Sequence, residues 1–413
     1  MSAKVNKQKL VMISFDAVSS DNLSLLCNMP NFGSLRKRGT LVRNVSSVVV
    51  SNTYPAHTSI ITGVHPGKHR IVENLHCTPG EKCEAWRYHA SDIKAPTLYD
   101  RVREQGGNVC SILYPVTGGA KIRYNFPEIA GSMPLFKRVW KILSLGSPSF
   151  ILSCFWRLHS HFKGMNEPEL DDFSTAIACD VWQRHRPDLL MLHLIDADSH
   201  KHDYGPESEQ AIHAIERLDQ RLGKLLRVLE SNTEEPVALI ILSDHGCRAV
   251  HTAIEPNDFL SERGFAQDGW FHNAGGTTFL HIKGHPATGD HQAEKAQRDT
   301  ADKTDADTLI AGFLKQPYVS RQLSAEEMRI SGMGEHFLAG FEAVAGYSFG
   351  KRHLGQHGYA LQRAGDLPFY LAVGENISQG EELSGGCIVD ICPLAADILN
   401  IPKWEMDGVN RLK

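Results

Sequence analysis

Asp188-Leu-Leu-Met-Leu-His-Leu-Ile-Asp196 is an apolar run closed at each end by a carboxylate. A run this short and this continuous suits a strand buried on both faces of a parallel sheet. Glu207–Leu229 follows, with Ile212, Ile215, Leu218, Leu222, Leu225 and Leu229 at helical spacing and first-turn acids in Pro206-Glu-Ser-Glu. Val237-Ala-Leu-Ile-Ile-Leu-Ser-Asp244 is then a second apolar run. Strand, helix, strand is the repeating unit of an α/β fold. Working outward, Lys9-Leu-Val-Met-Ile-Ser-Phe-Asp16, Asn108–Tyr114 and Pro368–Gly374 supply further strands of the same kind. Sites in such folds lie beyond the carboxyl ends of the strands. Three of these runs end there in an aspartate: Asp16, Asp196 and Asp244.

The 413 residues are 42% hydrophobic and 22% charged, an ordinary globular composition that excludes global disorder. A formal charge of −5 offers no basic surface for a nucleic acid polymer. No apolar run is long enough to span a membrane, and no stable membrane association is expected. Met1–Lys9 is polar and lysine-bearing, which does not read as a secretion signal. Nine scattered cysteines, Cys77 and Cys83 lying close together among them, suit a reduced, cytoplasmic chain. The 21 histidines make metal binding a leading expectation, since imidazole is the commonest metal ligand.

The whole chain, 1–413, reads as one catalytic domain with inserted cap or lid segments at about 131–170 and 264–350. The first mixes Leu135, Phe136, Val139, Trp140, Ile142 and Leu143, then Phe150–Trp156, with Lys and Arg. A helix lying on a membrane surface is one reading. Gly146-Ser-Pro-Ser149 interrupts it, and a cap is the reading taken. Residues 284–308, rich in Asp, Lys, Thr, Ala and His, read as a solvated loop, or a poorly ordered one, inside the second insertion.

Several clusters carry chemistry. Asp16 follows a buried strand, where it is either a ligand or a helix cap. The extended run Val45–Val50 leads into Ser51-Asn-Thr53-Tyr-Pro55-Ala-His57, with a helix starting near Pro55. Thr53 then stands at a helix N-terminus, which favours anions; the plain alternative is an N-cap. A threonine hydroxyl becomes a nucleophile only when a base or metal lowers its pKa. Asp196-Ala-Asp198-Ser-His200-Lys-His202 holds two Asp-x-x-x-His pairs, each on one helical face. Carboxylate plus imidazole is a good pair for zinc or manganese. Asp244 and His245 close another strand, and Gly246 permits the chain to turn so that both reach one cation. His353-Leu-Gly-Gln-His357 adds two imidazoles before the last strand. Together the clusters supply ligands for two cations and a hydroxyl. Two metals about 3.5–4 Å apart clamp the attacking and leaving oxygens of an in-line displacement, which suits phosphoryl transfer.

In this order the motifs resemble the alkaline phosphatase superfamily, and within it the type I phosphodiesterase/nucleotide pyrophosphatase family. The matching residues are Ile13-Ser-Phe-Asp16, Thr53-Tyr-Pro-Ala-His57, Thr62-Gly-Val-His-Pro-Gly-Lys-His69 with Glu73-Asn74, Asp198-x-x-x-His202-x-Tyr-Gly-Pro206, Ser243-Asp-His-Gly246 and His357-Gly-Tyr359. Val389–Asn400 and Asp407-Gly408 resemble the family's closing helix and turn. The resemblance implies an α/β fold: an alkaline-phosphatase-like α/β/α sandwich with a largely parallel central sheet and inserted cap segments. It implies one metal held by Asp16, Thr53, Asp244 and His245, and another held by Asp198, His202 and His357. Two zinc ions per chain are expected, with manganese compatible. Thr53 would be the nucleophile and Asn74 would contact a phosphate oxygen. Asp198/His202 is preferred over Asp196/His200 because His202-Asp-Tyr-Gly-Pro206 matches the family's ending. Asp196 and His200 then become supports behind the ligands. Arg70 stands where relatives carry glycine, and either reshapes a loop or adds a cation near the phosphate. His251 and His353 could also approach the metals. The implied function is hydrolysis of phosphodiester or nucleotide pyrophosphate bonds in a small-molecule phosphate ester or nucleotide. Alternatives are a phosphomonoesterase, a C–P hydrolase like phosphonoacetate hydrolase, or a metal-stabilised binding protein without catalysis.

Overall fold

The computed structural model describes residues 8–76, 85–231, 235–285, 287, 300–363 and 365–412. Met1–Lys7 and the pair Cys77/Cys83 lie outside them. The seven cysteines among the described residues are free thiols.

The strands are β1 (Lys9–Phe15), β2 (Thr40–Arg43), β3 (Val109–Ile112), β4 (Tyr124–Phe126), β5 (Leu189–Leu194), β6 (Val237–Leu242), β7 (Arg248–Ile254), β8 (Gly269–Asn273), β9 (Thr277–Ile282), β10 (Val319–Gln322), β11 (Ala339–Ala343), β12 (Gly346–Phe349), β13 (Gly355–Gln356), β14 (Tyr370–Val373) and β15 (Glu382–Ser384). The main helices are α1 (Pro30–Arg38), α2 (Thr53–Thr62), α3 (Leu98–Glu104), α4 (Leu135–Leu145), α5 (Pro148–Leu158), α6 (Glu169–His185), α7 (Asp196–Tyr204), α8 (Glu209–Glu230), α9 (Thr300–Leu314) and α10 (Ile391–Ile398).

Eight strands form the central sheet in the order β15-β2-β14-β6-β1-β5-β3-β4. All five apolar runs read from the sequence are strands of this sheet. β14 alone runs antiparallel to its neighbours, β2 and β6, so the sheet is largely parallel. β1 sits between β5 and β6 and is buried along both faces. Its Val11, Ile13 and Phe15 join one core with α1, α6 and α8. Leu10 and Met12 join the other core with α2, α3 and α10. Alternate residues of one strand thus feed two helical layers, which is the expected three-layer sandwich.

α8 begins after Ser208, whose side chain accepts from the Ala211 amide. Ile215, Leu218, Leu222, Leu225 and Leu229 are buried as the spacing requires, while Ile212 falls off the stripe and is exposed. The Val45–Val50 run is buried except at Ser46 but enters no strand, and an isolated bridge joins Ser46 to Cys387.

The solvated-loop reading of 284–308 needs correction. Residues 286 and 288–299 lie outside the described residues, but Thr300 begins α9. Ala306, Leu309 and Phe313 of α9 are buried in a separate apolar cluster with Phe259, Phe271 and Phe341. That cluster lies under a four-stranded antiparallel sheet, β10-β11-β9-β8. A small sheet, β12-β7-β13, brings the Gly355–His357 segment back to α7.

Candidate active site

Five segments meet at the carboxyl ends of the central strands. Asp16 follows β1, Asp244 and His245 follow β6, Asp198 and His202 sit one turn apart on α7, and His357 follows β13. Thr53 is the first residue of α2. Its Oγ1 lies 3.3 Å from His245 Nε2. The N-cap is Asn52, which makes no side-chain capping bond, so capping does not account for Thr53.

The histidines are held in one tautomer. His202 Nδ1 donates to Gly355 O at 2.8 Å, His245 Nδ1 to Gly246 O at 3.0 Å, and His357 Nδ1 to Asn52 Oδ1 at 2.7 Å. Those acceptors place a proton on Nδ1 and turn Nε2 inwards, the arrangement of metal sites whose outer contacts orient the imidazole. Asn52 cannot flip, because its Nδ2 donates to Glu73 Oε1 at 2.7 Å.

Into this cluster project Asp16 Oδ1, Asp198 Oδ1 and Asp244 Oδ2, each buried and without a hydrogen-bond partner among the described residues. Two of them face imidazole Nε2 atoms: His202 to Asp198 at 3.3 Å and His245 to Asp244 at 3.1 Å. Lone pair against lone pair at that distance is unfavourable unless a proton or a cation lies between. The donor set therefore fits a divalent cation. Asp16, Asp244 and His245 bring one ligand atom each within 4.8 Å of one another, and so do Asp198, His245 and His357. His245 thus borders both groups, while His202 reaches the second through Asp198.

The electrostatics match that crowding. Burial pushes Asp244 up to about 7. Burial and the carboxylates of Asp244 and Asp198 push Asp16 up to about 8. Burial alone would raise Asp198, but the His202, His357 and His245 imidazoles hold it below the usual carboxylate range. His202, although buried, is lifted to about 9 by Asp198.

Sequence reading missed several supports. His193, inside β5, donates from Nδ1 to Leu113 O at 3.1 Å and from Nε2 to Asp16 Oδ2 at 2.9 Å. Burial disfavours its charge, but the hydrogen bonds to Asp16 and Glu128 outweigh this and raise its pKa well above the usual value. Buried Lys201 donates to Ala17 O at 2.7 Å and Asn22 Oδ1 at 2.9 Å, fixing the turn after Asp16. Ala17 adopts a left-handed conformation there, φ 58°, and its amide donates to Asp244 Oδ1 at 3.2 Å. His57 donates to Thr53 O at 2.9 Å and accepts from Ser14 Oγ at 2.8 Å, which pins the start of α2 to β1. Asn74 Oδ1 accepts from the Tyr54 amide at 2.8 Å, which leaves its amino end as the donor for an anion.

Other expected residues are used differently. Asp196 accepts from Arg217 at 2.7 and 2.8 Å and from Arg221 at 2.6 Å, so a buried arginine network holds it. His200 is tied to Asp196, with its Nδ1 2.9 Å from the backbone oxygen. His353 packs tilted against His202, ring centroids 4.8 Å apart, and His251 of β7 packs near Gly346. Arg70 is left-handed, φ 71°, the conformation that favours glycine. Its guanidinium forms a two-pronged ion pair with Glu335. Gly246 has no positive φ. A Cβ there would lie 2.5 Å from Gly365 O and 2.6 Å from Asp366 Cα, so close backbone approach, and not a special turn, requires glycine.

The family described as "Type I phosphodiesterase / nucleotide pyrophosphatase" matches residues 10–337. Human ectonucleotide pyrophosphatase/phosphodiesterase family member 1 is 26% identical over 53% of the chain and 21% of its own length. Venom phosphodiesterase CdcPDE of Crotalus durissus collilineatus is 22% identical over 99% of the chain and 46% of its own length. The chain therefore spans less than half the length of these relatives. Among solved structures, murine ectonucleotide pyrophosphatase/phosphodiesterase 5, an inactive variant in complex with AMP, superposes with a TM-score of 0.69 at 20% identity, covering 97% of both chains. The alkaline-phosphatase-like sandwich, the ordered motifs at its strand ends and the match over most of the length lead to one conclusion: the chain belongs to the type I phosphodiesterase/nucleotide pyrophosphatase family.

Proposed function

We propose that this chain hydrolyses phosphodiester or nucleotide pyrophosphate bonds, with Thr53 as nucleophile and two divalent cations, zinc foremost, among Asp16, Asp198, His202, Asp244, His245 and His357. One observation carries the reading: three buried carboxylate oxygens without hydrogen-bond partners among the described residues, two of them facing imidazole Nε2 atoms, gather around a threonine hydroxyl. The names of the relatives, and the AMP bound to the murine structure, support a nucleotide-like substrate. Bound cations would lower the threonine pKa and offset the charge that develops on the phosphoryl oxygens.

The chain's own residues do the rest. Thr53 stands where the N-terminal amides of α2 and the helix dipole favour a phosphoryl group. The Asn74 amino group donates to a phosphate oxygen. The Thr53 oxygen forms a bond to phosphorus as the ester or pyrophosphate oxygen leaves, and water then cleaves the threonine–phosphate bond, returning the hydroxyl. His57 holds the Thr53 carbonyl and keeps the nucleophile in register.

The test compares kcat/KM for bis-p-nitrophenyl phosphate and p-nitrophenyl phosphate with zinc present, using Thr53→Ala as control. Diester preference that vanishes in the variant is expected. Full activity of Thr53→Ala sinks the nucleophile assignment, and monoester preference sinks the diesterase reading.

A further inference from the structure

Among the described residues, the most exposed large apolar side chains are concentrated on two consecutive helices far from the ligand cluster in sequence. α4 leaves Leu135 64%, Phe136 71% and Trp140 72% accessible, with Val139 beside them. These positions recur at helical spacing, so they share one face. α5 leaves Leu152 58% and Trp156 84% accessible, again one turn apart. The opposite sides are packed: Ile142, Phe150, Ile151 and Cys154 belong to the core. A soluble surface scatters single apolar residues, and a run of Leu, Phe, Trp and Trp marks a contact surface.

The charge of the same segment identifies the occupant. Residues 129–166 contain no Asp or Glu, yet carry Lys137, Arg138, Lys141, Arg157 and Lys163, in a chain whose net charge is −5. Arg157 is neutralised by Asp180, 2.5 Å away. Lys137, Arg138 and Lys141 have no acidic partner among the described residues: Arg138 donates to Gly131 O and Lys141 lies over the Tyr88 ring. Exposed Trp, Phe and Leu interleaved with Lys and Arg on one short helix match the headgroup boundary of an anionic bilayer. A protein partner with an acidic groove would meet the charge but has no need of so many large apolar groups at this exposure.

We infer that α4 and α5 form a lipid-docking element that inserts Phe136, Trp140 and Trp156 at the surface of an anionic membrane, with Lys137, Arg138 and Lys141 over the headgroups. This binding is peripheral and reversible, and no helix among the described residues is long and apolar enough to cross a membrane. The element is also tied to one edge of the ligand cluster. Trp86, whose ring packs on Tyr54 at 5.2 Å, also packs against Gly131, and Gly131 accepts the Arg138 bond. Leu75, next to Asn74, bridges to Trp86. Docking through α4 therefore brings the Thr53–Asn74 side of the cluster towards the lipid surface.

The test is flotation of the whole chain with phosphatidylcholine vesicles, with and without phosphatidylserine. It needs no turnover, so it stands apart from the hydrolysis reading. Binding is expected only to the anionic vesicles and to weaken as salt rises. Each cation near the surface contributes roughly fivefold in partition, so Lys137→Gln and Lys141→Gln should each lower binding by about that factor. Trp140→Ser should lower it on the order of tenfold. Lys137 and Trp140 are exposed and Lys141 is half-buried over the Tyr88 ring, and unchanged thermal unfolding will show that the variants fold. Equal binding to neutral vesicles overturns the anionic assignment. No binding to either, or a dimer in sedimentation velocity that Trp140→Ser dissociates, overturns the membrane and assigns the face to another contact.

Discussion

Asn52→Ala removes one small amide but touches two elements of the cluster. Its Oδ1 accepts from His357 Nδ1 at 2.7 Å, and its Nδ2 donates to Glu73 Oε1 at 2.7 Å. The helix itself loses no capping bond, since Asn52 makes none with its side chain. The bond to the carboxylate is charge-assisted, worth about 1.5–3 kcal/mol, and the bond to the imidazole about 0.5–1.5 kcal/mol. Glu73 keeps its second bond, from the Asn74 amide at 2.6 Å, which limits the loss. A stability cost of ~2–4 kcal/mol follows for the metal-free chain. The metal effect is separate. Losing the group that orients a ligating histidine costs about 10–100-fold in affinity. Only the cation near Asp198 and His357 should feel it, because His245 and Asp244 keep their partners. Competition titration in buffered zinc should show one site weakened and the other unchanged, while urea unfolding of the metal-free chain reports the stability cost. If urea stability falls as expected but both zinc affinities are unchanged, His357 does not need Asn52 and the argument from a fixed tautomer fails.

Three further outcomes test the supports. Arg221→Met leaves buried Asp171 without its arginine and Asp196 with Arg217 alone, and should cost about 3 kcal/mol in urea unfolding, with zinc content intact; a loss of zinc instead would move Asp196 into the metal site. Asp244 at about 7 and Asp16 at about 8 lie above the unfolded aspartate value of about 3.9, so the folded metal-free chain binds the extra protons. Their contribution to stability is therefore complete below about pH 4, falls progressively as pH rises, and is gone once pH has passed through about 7 to 8. Zinc displaces those protons, and the rise in Tm on adding zinc should be larger at about pH 8.5 than at about pH 6; a rise that shrinks with pH would contradict the placement. Arg70→Gly trades relief of left-handed strain, about 1–2 kcal/mol, against a half-exposed ion pair worth up to about 1 kcal/mol and added chain entropy of about 0.5–1 kcal/mol. Stability and kcat should hardly change; a large fall in kcat would return Arg70 to the phosphate pocket.

The sheet was legible because burial on both faces leaves uninterrupted apolar runs in β1, β3, β5, β6 and β14. The direction of β14 was not, since an apolar run carries no polarity. α9 was hidden because polar residues crowd its first half, although Ala306, Leu309 and Phe313 keep helical spacing. Within the site, residues at strand ends announced themselves, because a carboxylate there needs a partner. The supports did not, because their partners come from distant segments: Asn52 meets His357, and Lys201 meets Ala17. Two signals were readable. Ser14 and His193, which pair across β1 and β5, are lone polar residues inside apolar runs. Arg221 lies three residues after Leu218, on the buried side of α8.

The ligand cluster is a problem of folding before it is one of catalysis. Asp16 and Asp244 are buried and Asp198 buries its Oδ1, and desolvating a carboxylate costs several kcal/mol unless a cation or donors offset it. The nearby cations are already committed. His193 serves the other oxygen of Asp16, and Lys201 serves a carbonyl and an asparagine. Buried His57 stays neutral, since burial and the neighbouring His193 lower its pKa. At neutral pH the chain must either keep protons on these aspartates or accept positive charge in the gap between them. The imidazoles decide between the two, because three Nδ1 bonds turn three Nε2 atoms inwards: burial keeps His245 and His357 neutral, Asp198 holds a proton on His202 that a cation displaces, and the freed lone pairs then bind the metal ion. The same geometry that fits a cation keeps the Thr53 oxygen at its edge. On this argument the binding energy of the cation is part of the folding energy of the five segments that meet there.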